Sequence, residues 1–404
     1  MALYVHIPFC VRKCRYCDFL SMPAADGEKE AYVRAVRQEI QNIAQREDVC
    51  GCLSRYEVCS VFFGGGTPSL LKEGQLEGIL AVLRQCFAFG AGAEITVECN
   101  PGTLTKDKLL EYRRAGVNRL SLGLQSADNH ELALLGRIHT WEDFLSTYRL
   151  VREAGFGNVN VDIMSALPGQ TTFSYERTLQ QVIMLRPEHI SAYSLILEEG
   201  TPFYEMYGEG RRESGGFCEP RAGEGKTSVP IAEPLPDEDA EREMYARTGE
   251  ILRGAGYHRY EISNYAMPGR ECRHNICYWD GTEYIGFGVG AASLFCGCRH
   301  TNEREFSVYK DRVQRGLSVR TQSVLLSEKD RMEEFMFLGL RMMRGVSKEE
   351  FHRRFGRTME EVYGAVLKKY LGLGLLMQEG GRVFLTERGI DVSNMVFCDF
   401  LLDV

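Results

Sequence analysis

Leu3-Tyr4-Val5-His6-Ile7-Pro8-Phe9-Cys10-Val11-Arg12-Lys13-Cys14-Arg15-Tyr16-Cys17 sets a short β-branched run directly before three cysteines spaced C-x3-C-x2-C. The run predicts a first strand, Leu3–Ile7, and Pro8 withdraws the next N–H from any ladder. Spacings this short let one loop wrap a single metal centre. Thiolates are soft, strongly donating ligands that suit iron–sulfur clusters. A four-iron cubane held by Cys10, Cys14 and Cys17 keeps one iron without a protein ligand, and that open iron is a chemical position, as an open site on zinc is. It can chelate the amino and carboxylate groups of a small molecule. The competing reading is a structural zinc site completed by a histidine. His6 is the nearest candidate, but it points along the strand.

Working outward, β-branched runs alternate with amphipathic helical stretches as far as residue 200 or so. Strands are predicted at Leu3–Ile7, Val58–Phe63, Glu94–Glu98, Arg119–Leu124, Asn158–Met164 and His189–Leu195, with helices near 28–46, 73–87, 105–115, 128–154 and 172–186. A βαβα rhythm implies parallel strands joined by crossover helices. Six such units are too few for a closed eight-unit barrel. The expected fold is therefore α/β, a partial (β/α)6 TIM-like barrel over 1–207, with its chemistry at the carboxyl ends of the strands. Residues 208–236 break the rhythm with six Gly and four Pro in 29 residues, which reads as a flexible insertion or linker. A helix at 237–255 opens an α+β region, 237–326, expected to complete the barrel. From 327 to 404 the pattern is helical and includes a hairpin-like Leu376–Thr386, a winged-helix-like outline.

The whole chain of 404 residues is 44% hydrophobic and 26% charged, a globular composition that excludes wholesale disorder. Its net charge of −8 argues against a protein built to grip phosphate backbones. Residues 327–391 carry 12 basic and 11 acidic side chains with no basic stripe, so docking or a lid suits them better than nucleic acid. No run of 18 apolar residues is present, so no membrane span is expected. The first residues lack a basic n-region and an apolar h-region, and a cytoplasmic location is expected. Fourteen cysteines in such a chain point to reduced thiols and metal ligation.

Beyond the cysteines, polar residues punctuate the strand ends. Phe63-Gly64-Gly65-Gly66-Thr67-Pro68 follows the second strand, and a glycine run lets backbone approach a ligand without Cβ interference. Glu98 closes the third strand, Gln125 the fourth, Asp162 sits in the fifth, and Arg137 follows a helix. Each alone is an ordinary satisfied polar residue. Together they suit a ligand bearing ribose hydroxyls, an ammonium and a carboxylate, with Arg137 able to pair with the carboxylate.

The triad after the first strand, with Tyr16 before its last cysteine, resembles the radical S-adenosylmethionine (SAM) superfamily. In that family the unique iron binds SAM, and electron donation cleaves its sulfonium to a 5′-deoxyadenosyl radical. The order Tyr4, cysteine triad, Gly-Gly-Gly-Thr-Pro, Glu-x-Asn-Pro, Gly-Leu-Gln-Ser, Arg-x-His, Asp is most similar to the oxygen-independent coproporphyrinogen III oxidases and their relatives, the HemW-type heme chaperones. The resemblance implies a radical SAM barrel in which Cys10, Cys14 and Cys17 hold a [4Fe–4S] cluster. It implies that Tyr4, Gly65, Gly66, Thr67, Glu98, Gln125, Arg137 and Asp162 line the SAM site, with Tyr16 beside the cluster.

Three features separate the branches. The oxidases resemble C-x3-C-x2-C-x-C, and here the fourth cysteine position is Phe19. The oxidases carry an extension before the first strand, whereas three residues precede Tyr4 here. His274-Asn275-Ile276-Cys277-Tyr278-Trp279 matches the His-Asn-x-x-Tyr-Trp motif of the HemW branch. An imidazole is a natural axial ligand for heme iron, and Tyr and Trp rings pack on a porphyrin face. The other reading of the motif is a buried aromatic corner with His274 hydrogen-bonded, and Cys272 and Cys277 beside it are thiols of either kind. The resemblance thus implies heme as cargo, an acceptor hemoprotein, a reductant protein for the cluster and scope for a homodimer. It leaves open whether SAM is consumed. The alternative is a coproporphyrinogen III oxidase, decarboxylating propionate side chains. A radical enzyme acting on another substrate, such as a methyltransferase, is a third reading.

Overall fold

The alternation becomes one parallel sheet. In a computed structural model that describes residues 1–208 and 233–402, β1 (Ala2–Ile7), β2 (Val58–Gly65), β3 (Phe89–Cys99), β4 (Arg119–Gln125), β5 (Val159–Ser165) and β6 (His189–Ser194) pair in chain order, all parallel. A β7–β8 hairpin (His258–Glu261, Asn264–Ala266) runs antiparallel along β6. On the other side β9 (Tyr284–Phe287) joins β1 in parallel, and β10 (Ala292–Phe295), β11 (Cys298–Asn302) and β12 (Arg320–Leu325) continue as an antiparallel meander. The twelve strands form one open sheet, with no ladder joining its ends β7 and β12 among the described residues. The insertion expected over 208–236 falls, from 209 to 232, outside the described residues.

Parallel strands are covered on both faces, so their residues read as near-continuous apolar runs. Leu3, Val5 and Ile7 of β1 are buried with Val61 and Phe63 of β2 and Leu120, Leu122 and Leu124 of β4. Each such side chain contributes roughly 1.5–3 kcal/mol by leaving water. The helical pattern expected over 128–154 divides into Asn129–Leu134 and Trp141–Glu153. The physical cause lies between them, where Gly136 takes φ +76 and Thr140 caps the second helix by accepting from Asp143 N–H. That break places Arg137 on a turn. Strand β3 starts at Phe89, five residues before the expected Glu94, because Gly90-Ala91-Gly92-Ala93 carries no β-branched signal.

The helix Asp26–Ala44 clamps the glycine-rich stretch after β9. Glu39, buried, accepts from Gly288 N–H at 2.7 Å, Asn302 Nδ2 at 2.7 Å and the Tyr309 hydroxyl at 2.6 Å. Burial pushes its carboxyl up to about 7, against those hydrogen bonds. Tyr32 donates to His6 O at 2.7 Å and accepts from Val289 N–H at 3.0 Å, tying the same stretch to the end of β1.

The C-terminal part builds its own apolar core from Met336, Phe351, Tyr363, Tyr370 and Val383. Its helices Glu328–Gly339, Lys348–Phe355 and Met359–Gly372 precede or flank a small sheet of β13 (Val346–Ser347), β14 (Leu376–Glu379) and β15 (Arg382–Leu385) in the order β13-β15-β14. It meets the large sheet where Met343 N–H donates to Tyr260 O at 3.0 Å and where Arg341 lies over Trp279, 4.4 Å from the ring centroid.

Gly288 sits at φ +99, and a Cβ there would stand 2.4 Å from the Tyr32 hydroxyl and 2.7 Å from His6 O. Gly288→Ala is expected to cost about 2–4 kcal/mol, from strain and overpacking together. Urea unfolding should show a lowered midpoint with an unchanged slope; an unshifted midpoint would show that the clamp yields.

Candidate functional site

The cysteine loop is gathered at its neck. Met22 N–H donates to Pro8 O at 2.8 Å and Cys10 N–H to Met22 O at 3.1 Å. Its far side rests on the turn after Asn129–Leu134: Arg15 N–H donates to Leu135 O at 3.0 Å and Arg12 Nη2 to Gly136 O at 2.8 Å. All three thiols are free and half-buried. Burial pushes Cys17 up to about 11, against a backbone hydrogen bond from Phe19 and with Cys14 and Cys10 adding to it. Among the described residues no trio of His, Cys, Asp or Glu is gathered tightly enough for one metal ion. A cubane asks for less convergence, because each thiolate binds a different iron. His6 completes no zinc site: its Nδ1 meets the Tyr4 hydroxyl at 3.0 Å and its Nε2 meets Leu20 O at 2.8 Å.

The glycine run lies against this loop. Gly66 N–H donates to Ile7 O at 2.9 Å, Thr67 N–H to Phe9 O at 2.7 Å and Gly65 N–H to Glu98 Oε2 at 3.1 Å. These three donors are spent inside the protein. The glycines serve close packing: a Cβ on Gly65 would stand 2.4 Å from the His6 ring, and one on Gly66 2.7 Å from Phe9 O.

A chain of polar contacts runs from the thiols across the strand ends. Cys10 Sγ lies 3.4 Å from Thr67 Oγ1, which accepts from Asn100 Nδ2 at 2.7 Å. Asn100 Oδ1 accepts from Arg137 Nη2 at 2.8 Å, and the same nitrogen donates to Gly123 O at 2.7 Å. Arg137 Nη1 closes the chain on Cys14 Sγ at 3.7 Å. Gln125 joins them with φ +77, uncommon for a non-glycine residue and a store of strain that clusters at functional sites. A Cβ on Gly123 would touch Asn100, Gln125 and Arg137 together. Asn100 was not singled out from sequence; its signal is its place between Glu98 and Pro101. Tyr16 packs on Leu135, Met164 and Phe203, its hydroxyl pushed up by burial while the Arg137 charge pulls the other way. Arg137 Nε is buried with no partner among the described residues. An orphaned cationic donor beside three soft thiols fits a cluster with an anionic ligand on it.

Cys10, Cys14, Thr67, Asn100 and Arg137 line one cavity, and Tyr4, Glu98 and Asp162 line a second cavity. Burial and then the Asp162 charge push Glu98 up to about 8. Asp162 is raised by burial, against hydrogen bonds that include Asn160 Nδ2 at 2.7 Å and the Ser121 hydroxyl at 3.3 Å. The eight residues expected around one ligand thus fall into two groups, joined by the Gly65–Glu98 hydrogen bond.

His274 stands apart from the thiols. The helix Arg273–Trp279 packs across the early part of β2 and β3, and Glu94 accepts from the N–H groups of Arg273 and His274, each at 3.2 Å. The imidazole is 1% exposed. Nδ1 meets the Ser60 hydroxyl at 3.0 Å and Nε2 the Tyr278 hydroxyl at 3.0 Å. This is the buried aromatic corner, and an iron reaches either nitrogen only after Ser60 or Tyr278 gives way. The neighbouring thiols are structural too. Burial pushes Cys272 up to about 12, and Cys277 Sγ packs 3.6 Å from Cys59 Sγ.

Burial holds the His274 imidazole down to about 3. Between that value and the ordinary 6.5 the folded protein binds fewer protons than the unfolded chain, so stability from this group is full above 6.5 and is lost as pH falls through that window. The slope is on the order of 1 kcal/mol per pH unit. His274→Gln should flatten the fall in urea stability between about pH 6.5 and pH 4.5; parallel profiles would mean that the ring takes up its proton as freely as in water.

With the geometry in place, comparisons with known proteins bear on it. Residues 4–182 match the family model described as Radical SAM superfamily, and 326–392 match HemN C-terminal domain. The heme chaperone HemW of Bacillus subtilis is 34% identical over 400 residues, covering 98% of this chain and 98% of the relative. The Escherichia coli heme chaperone HemW is 39% identical over 293 residues, 72% of this chain and 69% of the relative. The mitochondrial radical S-adenosyl methionine domain-containing protein 1 of Bos taurus is 34% identical, covering 97% and 84%. Among solved structures, the coproporphyrinogen III oxidase HemN of Escherichia coli aligns with a TM-score of 0.81, covering 100% of this chain and 90% of that one at 23% identity, which speaks to the fold alone. By near-full-length identity and by the motifs on its first sheet strands, this chain belongs to the radical SAM superfamily and, within it, to the HemW family.

Proposed function

We propose that the protein is a heme chaperone that carries a [4Fe–4S] cluster and SAM, binds heme and passes it to an acceptor hemoprotein in the cytoplasm. The observation that carries this reading is the 34% identity to a heme chaperone across 98% of the chain. Two local features support it. Phe19, 59% exposed, stands where the oxidases resemble a fourth cysteine, and the His274-Asn275-x-x-Tyr278-Trp279 motif is present.

In this reading Cys10, Cys14 and Cys17 hold three irons of the cluster. When bound, the cluster supplies a one-electron donor beside the SAM sulfonium, replenished by a reductant protein. Arg137, held by Asn100 and Gly123, directs its charge to the SAM carboxylate. Glu98 and Asp162 accept from hydroxyls or the ammonium, and a carboxyl kept largely protonated, as Glu98 is, also donates. Gln125 and Thr67 close the polar rim, and Tyr16 walls the thiols from water. The homodimer remains part of the proposal as an arrangement that leaves the loop accessible. Helix Arg273–Trp279, with its aromatic side chains, links the early part of β2 to the C-terminal part, and heme uptake is assigned to this region without ligation by His274 in the resting fold.

Anaerobic reconstituted protein tests the reading in two assays on one sample. Heme titration should develop a Soret band that saturates, while coproporphyrinogen incubated with SAM and reductant stays unchanged. Turnover at catalytic rates would reject the chaperone reading in favour of the oxidase. The buried corner predicts that His274→Ala keeps heme affinity within about threefold of wild type, a difference of less than 1 kcal/mol.

Cys14→Ala should lose the cluster's visible absorption while far-ultraviolet circular dichroism stays native. Retained absorption would move ligation to other thiols.

A further inference from the structure

Arg119 opens β4 at the deep end of the second cavity, 2% exposed. Its guanidinium makes no hydrogen bond or ion pair with any described residue, and its Nε is buried without a partner. The nearby carboxylates attract this charge but spend their hydrogen bonds elsewhere. Glu94 accepts from Arg273 N–H, His274 N–H and the Cys272 thiol. Asp162 accepts from Asn160 Nδ2 and the Ser121 hydroxyl.

A buried, unpaired guanidinium is costly, and arginine does not neutralise by losing its proton. Its planar fork matches a carboxylate. On the lining, Glu98 is largely protonated at neutral pH and burial together with the Arg119 charge keeps His274 neutral; Asp162 is the lining carboxyl that attracts the guanidinium, with no hydrogen bond or ion pair between the two. Tyr193, on the lining near the end of β6, is 40% exposed. We propose that this cavity is a binding site for a small organic carboxylate, a molecule distinct from SAM, with Arg119 as its anion receptor. Ser121 and Ser191 on the lining offer hydroxyls to the same ligand. This goes beyond heme delivery, because it gives the lumen of the sheet a substrate of its own.

The test uses the full-length, cluster-loaded protein under anaerobic conditions. Thermal midpoints are read with propionate and with its uncharged isostere propionamide. At about ten times its dissociation constant, propionate should raise the midpoint by about 2 °C, and propionamide should not. Arg119→Met should lose that shift, yet match or exceed the wild-type midpoint without ligand, since a buried unpaired charge has been removed. Arg119→Lys should keep part of the shift. Equal shifts from the two probes, or a propionate shift retained in Arg119→Met, would overturn the assignment. So would unfolding of both variants, which would mark a structural arginine. Saturating S-adenosylhomocysteine should leave the propionate response in place; its loss would mean that the anion site belongs to the nucleoside.

Discussion

Gly66 and Thr67 donate their backbone N–H groups to Ile7 and Phe9, the last residue of β1 and the chain just beyond it. This seam joins the end of β2 to the root of the cysteine loop, and the surrounding site is registered against it. It forms only where no Cβ intervenes, because the His6 ring and the Phe9 carbonyl occupy the space that a side chain at Gly65 or Gly66 would need. From the seam, Thr67 reaches the Cys10 thiol on one side and Asn100 on the other. Asn100 in turn orients Arg137, which touches the Cys14 thiol. Four segments distant in sequence are thereby fixed to one another by a short path of polar contacts. Such a path holds donors in place before any ligand arrives, which is what a site gains from preorganisation.

The electrostatics divide the interior in two. Near the thiols, Arg137 is charged and its immediate partners are the Asn100 amide, the Gly123 carbonyl and the Cys14 sulfur. Deeper in, burial raises Glu98 and Asp162 and lowers His274 and His189, so that most titratable groups are driven toward their neutral forms. Arg119 is the exception, since its guanidinium stays protonated at any accessible pH. The deep cavity thus holds a permanent positive charge, which Glu94 and Asp162 attract from a distance without pairing with it.

Much of this was legible before folding. A βαβα rhythm specifies parallel strands because each crossover helix has to cover the sheet, and the boundaries of β1, β2, β4 and β6 lie within two residues of those expected. The cysteine spacing needs no tertiary information, since one loop carries all three thiols. The start of β3 was hidden because Gly90-Ala91-Gly92-Ala93 carries no β-branched signal and lies where the register with β2 shifts. The split of the helical pattern at Gly136 was hidden because left-handed backbone there is chosen by the turn that seats the cysteine loop.

Local patterns in the sequence therefore determined the strand order, the thiol loop and the set of polar residues at the strand ends, since short-range spacing and periodicity carry that information. The tertiary structure alone decided how those residues divide: which donors of the glycine run are spent on β1, that Asn100 bridges Thr67 to Arg137, that both nitrogens of His274 are engaged, and that Arg119 is left without a partner. Each of these is a question of who satisfies whom in a buried space. The answer depends on contacts between segments tens to hundreds of residues apart, and no local signal encodes such contacts.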